Sequence, residues 1–178
     1  MRTQMRTQLK INGELKDVEI KNGEITIIKP EKKATGWERA KPGEWQRYID
    51  SYNIKSSTED CLKEDDELYK KANYFTSQKL AENISRMQTL QRQMFRWQAE
   101  NDIPINLNSG NKAKYFKAKY FIVYDLDNNG FDVCSIYTKL HSFLPYFSSR
   151  NKAIECITEF ENELRWLFTE FRWRMDGE

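Results

Sequence analysis

The sequence predicts an α+β fold: an N-terminal three-stranded β-meander followed by two ββα-like units, an antiparallel sheet with two long helices on one face. Three observations carry this reading. Two Asn-Gly pairs punctuate a β-favouring stretch near the N-terminus, two later segments show apolar residues at spacings of three and four, and the starts of those segments repeat. Tyr74-Phe75-Thr76-Ser77 with Ala81 answers Tyr146-Phe147-Ser148-Ser149 with Ala153, an interval of 72 residues.

The meander occupies residues 5–30. Asn12-Gly13 and Asn22-Gly23 each sit between β-favouring runs, and both central positions of a type I′ turn need positive φ, which Asn-Gly adopts at little cost. Ile11, Leu15, Val18, Ile20, Ile25 and Ile27 are expected on its apolar side. The opening MRTQMRTQ duplicates four residues and reads as an alternative start at Met5 or an artificial extension, so residues 1–4 are left out of the fold. Residues 31–44 follow as a basic linker punctuated by Pro and Gly, with Trp37 as an anchor.

Residues 45–178 form the α+β body, with repeats at 45–103 and 112–174. WQRYI (45–49) is a short aromatic strand, its partner strand is weakly signalled, and the acidic stretch Glu59–Glu67 is expected to be a solvated loop. Leu80, Ile84, Met87, Leu90, Met94 and Trp97 then mark a helix to about Asn101, capped by Thr76, with the two methionines as core filling. KYFIVYD (119–125), the turn DNNG and FDVCSIYT (131–138) make a second hairpin. The last helix is expected to run from a cap at Ser148 to about Trp173, along the stripe Ile157, Phe160, Leu164, Leu167 and Phe171.

Composition narrows the function. At 178 residues with 13% aromatic side chains, the chain is long enough and apolar enough to bury a core. Lys plus Arg (29) nearly balances Asp plus Glu (27), so charge arguments must be local. Cys61, Cys134 and Cys156 show no metal or disulfide spacing, are read as buried small hydrophobes, and suit a reducing cytoplasm. No apolar run reaches the ~18 residues of a membrane span, and no cofactor or metal is expected. Asp125-Leu-Asp127-Asn-Asn129-Gly130 resembles the start of a calcium loop, but Ile136 stands where the twelfth-position carboxylate belongs, so a tight turn is the reading. His141 is the only histidine and lacks a nucleophile or orienting partner in the text. Metal-free RNA cleavage by Lys, Arg, Glu or Tyr would leave no motif.

The candidate contact residues for nucleic acid or a protein partner are Lys21, Lys29, Lys32, Lys33, Trp37, Arg39 and Lys41, with Trp45 nearby. Basic side chains neutralise phosphates and exposed aromatic rings stack on bases. A second mixed patch, Lys112, Lys114, Lys117 and Lys119 with Tyr115 and Phe116, reads as a loop leading into the strong strand. Arg86, Arg92 and Arg96 lie on the polar side of the first helix and Glu155, Glu159, Glu163 and Glu170 on the last, where pairing between the helices is expected.

The stretches WERAKPGE (37–44), NYFT (73–76), KYFIVYD (119–125) and FSSRNKA (147–153) resemble a group of phage and prophage proteins of Gram-positive bacteria, over about residues 37–172. One departure is Ala72, where that pattern has glycine. With the added Asn-Gly meander and basic GWER segment, the chain is similar to members described as type II-A anti-CRISPR proteins. The resemblance implies an inhibitor of a type II CRISPR effector nuclease that binds the nuclease, its guide RNA, or both, in the host cytoplasm. Two other readings stand beside it: a small ribonuclease that truncates guide RNA, and a phage adaptor with no immune role.

Overall fold

The computed structural model describes residues 4–11, 14–21, 23–28, 34–51, 53–105, 118–137 and 143–176. The chain divides into two compact units, Met1–Ala34 and Thr35–Glu178. Among the described residues there are seven strands, in antiparallel sheets of three, two and two, and three α-helices. This is an α+β fold with an N-terminal meander.

In the first unit, β1 (Gln4–Ile11), β2 (Glu14–Lys21) and β3 (Glu24–Ile27) pair in sequence order. The first strand thus takes in Gln4, which the duplicate N-terminal text had left outside the fold. Ile11 pairs with Glu14 and Lys21 with Glu24, the two-residue spacing expected of tight hairpins. Gly23 has φ +85°, while Asn12, Gly13 and Asn22 lie outside the described residues. Register places Met5, Thr7, Leu9 and Ile11 beside Ile20, Val18, Lys16 and Glu14, with Ile25 and Ile27 against Ile20 and Val18. Leu15 falls on the opposite face across from Lys10 and is 69% exposed, contrary to expectation, because a strand alternates faces with period two.

In the second unit, β4 (Trp45–Asp50) and β5 (Asn53–Thr58) form the first hairpin, and β6 (Lys119–Asp125) and β7 (Gly130–Ile136) the second. The weakly signalled partner of WQRYI is therefore NIKSST. The two hairpins are separate sheets rather than one continuous sheet. The first strand of each hairpin carries a backbone bridge to the segment entering the next long helix. Arg47 and Phe75 exchange N–H···O bonds of 2.8 Å each, and Tyr120 and Phe147 exchange bonds of 3.0 and 2.8 Å. The same bridge, made by the matching residue of the repeated Tyr-Phe pair, gives the repeat seen in the sequence a structural counterpart.

Between β5 and the first long helix, residues expected as a solvated loop form a short helix, α1 (Lys63–Lys70). Glu64, Asp65 and Asp66 occupy its first turn, where acidic groups complement the helix dipole, and Asp65 accepts the N–H of Leu62 at 3.1 Å. At its other end Ala72 N–H bonds Tyr69 C=O and Asn73 N–H bonds Leu68 C=O, both at 3.0 Å, which is a Schellman closure. That closure puts Ala72 at φ +52°. Left-handed backbone costs an L-residue about 1–2 kcal/mol. Ala72→Gly is therefore expected to raise stability by roughly 1 kcal/mol in urea denaturation, after the entropic penalty of glycine.

The long helices are α2 (Gln78–Asn101) and α3 (Arg150–Thr169). Their caps are Ser77, accepting from Leu80 N–H at 3.3 Å, and Ser149, accepting from Lys152 N–H at 3.2 Å. Each lies one residue beyond the expected Thr76 and Ser148, and the 72-residue interval is kept. Thr76 N–H instead reaches Gly36 C=O at 2.9 Å, and Ser148 gives both N–H and hydroxyl to the Asp102 carboxylate. The last helix stops at Thr169, short of Trp173: the N–H groups of Glu170 and Phe171 converge on Trp166 C=O at 2.8 and 2.9 Å and end the ladder.

Two apolar clusters follow the repeat. Phe75, Leu80, Ala81 and Ile84 form one, with Trp37 and Phe171 against it. Leu90, Met94, Ile122, Val133, Phe147 and Leu164 are central to the other. Met87 packs on both, and Met94 is fully buried, as core filling requires. No described helix is long and apolar enough to cross a membrane.

Candidate functional site

The segment expected as a basic linker is bound into the second unit from Thr35 onward. Glu38 accepts from the Thr35 N–H (2.7 Å), the Thr35 hydroxyl (2.6 Å) and the Gly36 N–H (2.8 Å), and these bonds hold its carboxyl down at about 2. The loop places Gly36 at φ +91° against α2, where a Cβ would meet Leu80 Cδ2 at 2.8 Å and Ser77 Cβ at 3.1 Å. Glycine is required there by both conformation and space. Met175 N–H bonds Thr35 C=O at 3.0 Å, tying the C-terminal segment to the same loop.

This packing decides the environment of the sequence-predicted contact residues. Trp37 stacks at a tilt on Phe75 with centroids 5.0 Å apart, and its indole N–H donates to Trp173 C=O at 2.7 Å. It is a half-buried anchor. Arg39 donates to both carboxylate oxygens of Glu59 (3.2 and 2.9 Å) and to Asp66 (2.6 Å). Lys41 and Trp45 are exposed, and Lys21 is exposed at the end of β2 in the first unit. Lys29, Lys32 and Lys33 lie outside the described residues.

What sequence reading missed is the polar cluster around Glu59. Its side chain is 1% exposed and receives Arg39, the Tyr74 hydroxyl at 2.6 Å and the Cys61 N–H at 3.0 Å. The guanidinium is the main reason the Glu59 carboxyl is lowered to about 2. Burial, then the bond to Glu59, pushes the Tyr74 phenol up to about 12. Nearby, the buried Gln46 amide donates to Asp65, whose other oxygen takes the Asp60 and Leu62 N–H groups at 3.1 Å. In this cluster the carboxylate and the phenol are buried, and the guanidinium reaches them from the surface. The cluster cross-links the Trp37–Glu44 loop, β5 and α1.

The remaining chemical candidates resolve locally. Asp125 accepts the N–H groups of Asp127 (2.9 Å) and Asn128 (3.2 Å), with Asn129 at φ +49°, giving the tight turn expected in place of an ion loop. Among the described residues, no group of three or more His, Cys, Asp or Glu could hold a metal ion. Cys156 is buried and burial raises its thiol to about 12, whereas Cys61 and Cys134 are exposed, contrary to the buried reading. Lys119 belongs to β6, not to a loop patch; it is 5% exposed and its ammonium donates to Tyr137 C=O at 3.1 Å. His141, Lys112, Lys114, Tyr115, Phe116 and Lys117 lie outside the described residues.

Between the helices, the expected pairing is present at Arg86, which meets both oxygens of Glu163 at 2.8 and 2.9 Å and lies 4.1 Å over the Trp166 ring. Glu155 pairs instead with Lys152 on its own helix. Arg92 and Arg96 are exposed. Compared with protein-family models, curated proteins and solved structures, the chain matches none.

Proposed function

We propose that the protein is a stoichiometric inhibitor of a type II RNA-guided effector nuclease, acting by binding the nuclease, its guide RNA, or both. The resemblance of WERAKPGE, NYFT, KYFIVYD and FSSRNKA to phage proteins of this kind supports the target. The observation supporting a binding mode is that the chemically capable polar groups have partners within the chain while large aromatic side chains are exposed. Glu59, Arg39, Tyr74, Asp102 and the Arg86–Glu163 pair are hydrogen-bonded to other side chains or backbone of the second unit, whereas Trp45 and Trp173 of that unit are both 62% exposed; in the first unit Ile25 is 56% exposed. Tryptophan is enriched among the residues that dominate binding at protein interfaces.

The test mixes the purified protein with a type II effector and guide RNA, follows target-DNA cleavage, and runs the guide on a denaturing gel. Inhibition that saturates near one protein per effector with an intact guide is the expected result. A shortened guide at substoichiometric protein would replace binding with RNA scission. Undisturbed cleavage across several effectors would leave the adaptor reading.

A further inference from the structure

On α2, Arg92, Phe95, Arg96 and Ala99 fall at the spacing that puts side chains on one helical face, and all four are exposed, Phe95 by 46%. Among the described residues, Arg39, Arg86, Arg150, Arg165 and Arg174 each have a carboxylate within ion-pair distance. Arg92 and Arg96 have none, and neither do Arg47 and Arg172, whose guanidinium groups donate to backbone carbonyls; the Arg92 guanidinium donates to the Thr89 hydroxyl at 3.2 Å. Two unneutralised guanidinium groups therefore bracket an exposed aromatic ring.

Beside Phe95 the end of α2 and the turn at residues 143–146 enclose a groove of about 470 Å³. Ile103, Pro104, Leu144 and Pro145 give it apolar walls. Its shape is set by side chains: Gln91 and Gln98 donate to the carbonyls of Phe143 (2.6 Å) and Tyr146 (3.0 Å) and fasten the turn to the helix. Asp102, the carboxylate on its lining, is committed to Ser148.

We infer that this face binds single-stranded RNA, with Arg92 and Arg96 on phosphates and a base against Phe95 at the mouth of the groove. Charge selects the occupant: the two guanidinium groups that share a helical face with Phe95 have no carboxylate within ion-pair distance, and a polyanion with flat bases satisfies them together with the ring and the apolar walls. The naming of RNA as the natural ligand rests on the inhibitor reading above. The face itself does not overlap the residues singled out in residues 21–45.

The experiment is fluorescence anisotropy with a fluorescein-labelled single-stranded oligouridine at low salt. Wild-type protein is expected to bind. Arg92→Glu with Arg96→Glu should weaken binding by about tenfold or more and flatten the log–log salt slope by about 1.4, two phosphate contacts at ~0.7 each. Phe95→Ala should weaken binding by about tenfold with the slope kept, since stacking releases no counterions. Unchanged thermal midpoints would show that the variants fold. Absence of wild-type binding, or equal binding by both variants, overturns the assignment. So does a fluorescein-labelled acidic peptide that binds in place of the oligonucleotide and is lost in the same variants. Nuclease inhibition without oligouridine binding sinks this face alone; oligouridine binding without inhibition sinks the inhibitor reading and leaves the face standing.

Discussion

Phe147→Ala is expected to destabilise the second unit by about 3–5 kcal/mol in guanidinium denaturation followed by tryptophan fluorescence, the range for removing a fully buried phenyl ring. Phe147 is 0% exposed, sits among Leu90, Met94, Ile122 and Leu164, and meets the Trp97 ring edge-on at 6.2 Å. Its backbone also bridges to Tyr120, so the same residue carries side-chain packing and the link from hairpin to helix. Phe75 holds the matching position in the first repeat, also 0% exposed and bridged to Arg47, and Phe75→Ala should lose a comparable amount. Phe147→Leu should recover more than half of the loss, because it restores most of the buried volume. A loss below about 1 kcal/mol for both alanine variants would mean that neither residue anchors its helix entry.

Arg39→Ala has the second largest expected effect, a loss of stability read as a lower guanidinium midpoint in the same assay. It leaves the Glu59 carboxylate buried with only the Tyr74 hydroxyl and the Cys61 N–H, and an uncompensated buried charge costs more than the pair itself contributes. The Arg39 side chain is 36% exposed, so water can reach its place and tempers the loss. Glu59→Gln in the Arg39→Ala background should return part of the loss by removing the stranded charge. The pH dependence follows from the direction of the shift. Glu59 is lowered from 4.5 to about 2 in the folded protein, so its contribution is complete above pH 4.5 and is lost as pH falls toward 2. In Arg39→Ala the acid limb of the stability profile should move to higher pH. Tyr74, raised from 10.0 to about 12, works on the other side: its contribution is complete below pH 10 and declines as pH rises toward 12. An acid limb identical in wild type and Arg39→Ala would show that the guanidinium does not hold the carboxyl down.

The sequence by itself determined what depends on neighbours along the chain. Asn-Gly turns demand positive φ, helices repeat every 3.6 residues and strands every two, so the two meander hairpins, the β6–β7 hairpin, both long helices and the 72-residue repeat were legible without coordinates. Tertiary structure decided whatever depends on partners far apart in sequence. EDCLKEDDE looked like a solvated loop because the partner of Glu59 is Arg39, 20 residues upstream, and nothing local announces that pair. That the two hairpins stay separate sheets, and that the Phe75 backbone bridges to Arg47 of β4, are backbone facts that side-chain patterns do not report. The candidate site divides the same way. Trp37 and Arg39 share a basic, aromatic text with Lys41, yet the fold gives the first two side chains partners, the Trp173 carbonyl and the Glu59 carboxylate, and leaves Lys41 exposed. Arg86, Arg92 and Arg96 look alike as the polar side of one helix. Only the arrival of Glu163 and Trp166 from α3 neutralises the first and leaves the other two, with Phe95 between them, open to an anion.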